Sequence, residues 1–114
     1  MNWPPQTGQP PPRVIGCWYE PIKFEGWILA ARGHGPEWAK VLHVGPDDLG
    51  TVWAAIRTAA VLAPVSRVID TEHGIICRVD MELAIGKRTA PARTAWHYAN
   101  EESAPRLVSA YPRL

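Results

Sequence analysis

The chain is short of cysteine, of excess charge and of long apolar runs, and each shortage excludes something. Its 114 residues hold two cysteines, Cys17 and Cys77. No CxxC or Cys/His ligand spacing occurs, so a structural zinc site is not expected. The expectation is two reduced, partly buried thiols in a cytosolic protein. The formal net charge is +1, which excludes a generically basic nucleic-acid coat working through counterion release from many Lys and Arg contacts. A local cationic patch stays open. From Arg78 onward six Lys/Arg face four Asp/Glu, so the C-terminal part is slightly basic. No apolar run reaches the roughly 18 residues of a membrane span. The first residues lack the charged start and apolar core of a signal peptide. The expectation is therefore a cytoplasmic protein that does not engage a membrane, and no feature calls for a cofactor.

What is present suits a single domain. Hydrophobic residues make up 46% of the chain, and six tryptophans each bring a large apolar body with one N–H that needs a partner. Residues 1–13, MNWPPQTGQPPPR, hold five prolines. Proline fixes φ and removes N–H donors, so an extended, disordered tail is expected there, with a single domain over 14–114. Residues 14–32 read as a lead-in with a short helical turn around 22–31. The stretch GHGPEWAKVLHVGP (33–46) reads as a short helix with Pro36 at its start, Trp38, Val41 and Leu42 on one face, and Gly45 at its end. The clearest helix is GPDDLGTVWAAIRTAAVLAP (45–64). Pro46, Asp47 and Asp48 open it, Leu49, Val52, Trp53, Ile56, Ala59 and Ala60 line its apolar face, and Pro64 stops it.

The period then changes from about 3.6 to 2. Residues 75–85 alternate Ile75, Cys77, Val79, Met81, Leu83 and Ile85 with Arg78, Asp80 and Glu82, which predicts a long strand with one buried and one wet face. Strands over 64–70, 89–99 and 105–111 complete the pattern. The expected fold is α+β, with two N-terminal helices packed on a four-stranded antiparallel sheet. Strand parity predicts Trp96 in the core, with Arg93, Ala95 and His97 on the open side. It also predicts Val108 and Ala110 as a core pair, with Leu107, Ser109 and Tyr111 outward. These parities hold if there is no bulge, and Pro91 is a residue type that tolerates one near the start of the third strand.

The open face then collects Glu82, Arg93, His97, Ser109 and Tyr111, with Arg78 beside them. A ribonuclease that uses no metal needs such residue types. A base removes the 2′-OH proton, an acid protonates the leaving 5′-oxygen, and a cation stabilises the charge that develops on phosphorus. Histidine serves as acid or base, glutamate as base, tyrosine as acid or phosphate donor, and arginine as a bidentate phosphate contact. On this reading Arg93, His97, Tyr111 and Glu82 are catalytic. Arg78, Arg106, Ser109 and His34 bind substrate. His34 enters because GHG precedes a helix whose N-terminus is able to hold a phosphate. A plainer reading stands beside it, with a solvated strand face, a structural histidine and a flexible joint at GHG.

The ending PARTAWHYANEESAPRLVSAYP resembles the C-terminal signature of a bacterial family of domains of unknown function. There, a strand carrying Arg-Thr-x-Trp is followed by Pro-Arg-Leu-Val-Thr-Ala-Tyr-Pro. The matching residues here are Arg93, Thr94, Trp96, Pro105, Arg106, Leu107, Val108, Ala110, Tyr111 and Pro112, with Ser109 where Thr is usual. Residues 21–53 resemble the family's lead-in and helices. The layout is similar to the barnase–colicin–RelE group of ribonuclease toxins, which implies an RNA-cleaving sheet face and a small immunity or antitoxin protein as partner. Trp38 stands where many members have lysine. The alternatives to a toxin-like ribonuclease are a non-catalytic protein-binding module using the same face, and an inactive relative that keeps only the fold.

Overall fold

A computed structural model describes residues 3–113. It is α+β, with a five-stranded mixed sheet. The strands are β1 (Trp18–Tyr19), β2 (Val65–Thr71), β3 (Gly74–Ile85), β4 (Arg88–Tyr98) and β5 (Arg106–Pro112), in the spatial order β1-β5-β4-β3-β2. Strands β2 to β5 form an antiparallel meander close to the expected bounds. The four-stranded antiparallel expectation is corrected by β1, whose two residues pair parallel with β5, Trp18 with Arg106 and Tyr19 with Leu107. Two residues carry no readable period, so periodicity did not reveal this strand.

Three helices accompany the sheet: α1 (Pro21–Lys23), α2 (Gly35–Leu42) and α3 (Leu49–Ala60). Helix α1 runs into a π-turn over Phe24–Ile28, where the Leu29 N–H donates to the Phe24 carbonyl at 3.0 Å. Helix α2 ends earlier than expected. His43, at φ 57°, takes the left-handed position that the sequence reading gives to Gly45. Gly45 instead prepares the next helix, its N–H donating to Asp48 Oδ2 at 2.9 Å. Helix α3 buries Val52, Ile56 and Ala60 at four-residue spacing, packing against β3 as the 3.6-residue period requires.

One face of the sheet is sealed. Cys77, Val79, Met81 and Leu83 of β3, and Ala90, Ala92, Thr94, Trp96 and Tyr98 of β4, are all buried. Burial pushes the Cys77 thiol up to about 11. On β5 the expected parity needs correction. Ala95 pairs with Ser109, but Trp96 pairs with Leu107, so Val108 is the extra residue of a bulge. Leu107 therefore lies fully buried beside Ala110, while Val108 is only half-buried. The bulge sits opposite Ala95/Trp96 and not at Pro91. A second irregularity lies in β2 between Val65 and Arg67.

Residues 3–13, expected as a disordered tail, lie against the body. Pro5, Pro11 and Pro12 are buried. Gly8 N–H donates to the Val65 carbonyl and Val65 N–H to the Gln9 carbonyl, both at 2.8 Å. The Tyr98 hydroxyl donates to the Pro12 carbonyl at 2.6 Å, and Trp3 meets the Tyr98 ring edge-on at 5.5 Å. Proline's lost donors cost nothing here, because carbonyls and apolar rings make these contacts. The segment covers the part of the core that three short helices leave bare.

Inside the core, Trp96 Nε1–H donates to Thr94 Oγ1 at 2.8 Å, and Thr94 Oγ1–H donates to the Val79 carbonyl at 2.8 Å. Thr94→Val keeps the shape and removes the acceptor, leaving a buried indole N–H unpaired. Chemical denaturation should show a loss of about 1–3 kcal/mol. Ser109→Ala, on the half-buried outer face, should change stability by less than about 0.5 kcal/mol.

Candidate active site

The uncovered face is built by residues that alternate with the core set. Cross-strand pairs place them in rows: Asp80–Arg93–Tyr111, Arg78–Ala95–Ser109, and Ile76–His97–Arg106–Trp18. All eight residues anticipated from the sequence lie on this face or at its edge, but they do not form one group.

The first group centres on Arg93. Its Nε–H donates to Asp80 Oδ1 at 2.9 Å and its Nη2 to Oδ2 at 3.4 Å, a fork geometry that suits paired oxygens. Hydrogen bonding from Arg93 holds the Asp80 carboxyl below its usual range. The bond to Asp80, helped by the Tyr111 hydroxyl, binds the Arg93 proton more firmly than usual. On the other side of Tyr111 stands His34, its ring stacked on the phenol with centroids 4.7 Å apart and planes 25° apart. Trp27 meets His34 edge-on at 5.9 Å and is 44% exposed. Glu37 Oε2 lies 3.8 Å from His34 Nδ1. Five side chains thus run in a line from a half-exposed indole to a carboxylate.

Two local features hold His34 there. The GHG segment is tightly folded and not a loose joint. A Cβ on Gly33 would sit 2.0 Å from the Trp27 carbonyl oxygen, and one on Gly35 would sit 2.6 Å from the Ala30 carbonyl oxygen. Only glycine permits such close backbone approach. The same carbonyls accept from His34 N–H at 3.0 Å and Gly35 N–H at 2.9 Å. Helix α2 is then tied to the sheet by Trp38, fully buried, whose Nε1–H donates to the Ala110 carbonyl at 3.2 Å. His34 is thereby carried to the edge of β5, beside the residue that follows Ala110.

The second group centres on His97, on the same face as Arg93 but four residues further along β4, about 13 Å away. Its Nε2 lies 2.8 Å from the His73 carbonyl oxygen. A carbonyl can only accept, so Nε2 carries the hydrogen. Arg106 pairs with His97 across the strands, and its Nη1 contacts Glu20 at 3.3 Å. Between the groups, Arg78 Nε–H donates to Ser66 Oγ at 3.2 Å, and Ser109 is half-buried opposite Ala95. Glu82 is exposed opposite Pro91 and borders a groove beside Thr51 and Thr58 of α3, apart from both groups. Periodicity did not single out Trp27, Trp18 or Glu37 for this face. Trp27 lies seven residues before the glycine-flanked His34, and only the folding back of the chain brings the two rings together.

The sequence profile of one family, Domain of unknown function (DUF6883), matches residues 23–114. The chain belongs to that family. No curated protein and no solved structure matches it. The DUF6883 match includes α2, α3, β2 to β5 and the whole line from Trp27 to Asp80. It begins after β1, so Trp18, Glu20 and the proline-rich segment precede it. Within this DUF6883 domain no helix among the described residues is long and apolar enough to cross a membrane.

The Asp80 carboxyl, depressed when folded, contributes stability above its unfolded range and loses it as pH falls through the folded value. Thermal melts below about pH 4 should therefore decline less steeply for Asp80→Asn than for the native chain. Parallel acid limbs would show that the pair adds nothing to folding.

Proposed function

We propose that the uncovered sheet face binds single-stranded RNA and cleaves it without a metal ion. One observation carries this reading: the stacked His34–Tyr111 pair lies beside the Arg93 guanidinium with the exposed Trp27 next to it. Arg93 supplies a planar donor fork for two phosphate oxygens. Trp27 offers a surface on which a base stacks. His34 and Tyr111 between them hold one group that accepts the 2′-OH proton and one that donates to the leaving oxygen. As the 2′-oxygen attacks phosphorus, the P–O5′ bond breaks and the 5′-oxygen takes a proton. The products are a 2′,3′-cyclic phosphate and a 5′-hydroxyl. His97 and Glu82 lie outside this cluster and take no part in the bond-breaking step.

A second reading, a non-catalytic module that binds a protein such as an immunity or antitoxin partner, is favoured by one observation. Arg93 is already neutralised by Asp80, so an arriving phosphate must displace a carboxylate. Repulsion between that carboxylate and phosphate weakens ground-state binding. The two readings separate in one assay. A labelled oligoribonucleotide incubated with the purified chain in excess chelator should be cut to cyclic-phosphate ends, and a 2′-deoxy substitution at the scissile position should block the cut. Arg93→Ala and His34→Ala should each slow cleavage by about 100-fold or more. Absence of cleavage by the folded chain would favour the binding module, and cleavage indifferent to both variants would remove the roles given to Arg93 and His34.

A further inference from the structure

The His97–Arg106 group lies outside the Arg93 cluster and lines a cleft of 370 Å³ together with Trp18, Ala99, Ser103 and Ala104. That volume lies in the range of small-ligand sites. Its chemistry is specific. Trp18, 48% exposed, forms an aromatic wall. Ala99 and Ala104 are short and leave the space open. Arg106 stands across from Trp18 in the β1–β5 pairing. Glu20, which does not line the cleft, contacts Nη1 at 3.3 Å, and the other guanidinium nitrogens have no side-chain partner among the described residues. His97, held through Nε2 by the His73 carbonyl, keeps Nδ1 for a second contact. A flat aromatic surface beside a cation and an imidazole on one sheet face fits a heterocyclic base that carries a phosphate.

We infer that this cleft is a nucleotide-binding subsite, taking a base against Trp18 and its phosphate on Arg106 and His97. It rests on the RNA reading for one point only, that the bound nucleotide belongs to the strand whose scissile phosphate meets Arg93. The two centres are about 13 Å apart along β4, so a short oligonucleotide spans both. Trp18 and the Glu20 partner of Arg106 lie ahead of the family match, whereas His97 and Arg106 come from within it. The subsite is therefore a joint product of the β1 segment and the matched domain.

The test uses mononucleotide, which binds without being cut. Adenosine 5′-monophosphate, adenosine and inorganic phosphate are titrated separately into the isotope-labelled full chain while backbone and indole N–H resonances are followed. The monophosphate should shift the Trp18 indole and the 99–106 backbone, with adenosine and phosphate each at least tenfold weaker. Trp18→Ala and Arg106→Gln should each weaken binding at least fivefold while the spectrum shows an intact fold. The inference is overturned if no shift occurs at these residues, if both folded variants bind as the native chain does, or if phosphate alone binds as well as the nucleotide. Nucleotide binding without RNA cleavage would keep this subsite and remove the cleavage reading. Cleavage without nucleotide binding would do the reverse.

Discussion

The parity of β4 decides which of its side chains reach solvent, and a buried hydrogen-bond relay helps to fix it. Trp96 donates to Thr94, and Thr94 donates to Val79 on the neighbouring strand. Both side chains are fully buried, so each donor and acceptor must find its partner inside the protein. A one-residue slip would turn Trp96 outward and bring Arg93 and His97 into the core. The cost of burying a guanidinium makes that slip prohibitive. The Arg-Thr-x-Trp stretch therefore has a structural logic: the Thr and Trp point inward, and the Arg between the strands points out.

The outward group is completed from outside the meander. Helix α2 is anchored by the Trp38 indole on the Ala110 carbonyl, and glycines on both sides of His34 allow the chain to fold back on itself. Together they deliver an imidazole to the edge of the sheet. That edge is accessible because β1 covers only Arg106 and Leu107 of β5. The same economy shapes the other end of the core, where a proline-rich segment takes the place of a helix over Tyr98 and Val65.

Much of this was legible in the residues. The eleven-residue alternation of β3 and the apolar stripe of α3 announced themselves, because a single buried face imposes its period on the sequence. Helix α2 was readable from Pro36 and the Trp38–Leu42 spacing. Other parts lacked a local signature. The two residues of β1 are too few to show a period. The bulge at Val108 follows from how β5 meets β4, and Leu107 and Val108 are equally apolar, so hydropathy alone does not say which turns inward. The proline-rich segment looks like a tail in composition, and its docking depends on a bare apolar surface formed by distant residues. The site divided for a similar reason. Parity gathers Arg93, His97 and Tyr111 on one face, but spacing along the strand sets His97 apart, and only the tertiary fold brings His34 to Tyr111.

The open face is balanced in charge where it is most compact. Asp80 holds Arg93 in a defined orientation through two hydrogen bonds. All of it depends on His34 being stacked on Tyr111 at the edge of β5. Proton and carbon NMR of the His34 ring tests that placement directly. The account predicts ring protons shifted upfield by the Tyr111 ring current, cross-relaxation between the two rings, and loss of both in Tyr111→Leu. Unshifted ring resonances without contact to Tyr111 in the folded native chain would contradict it.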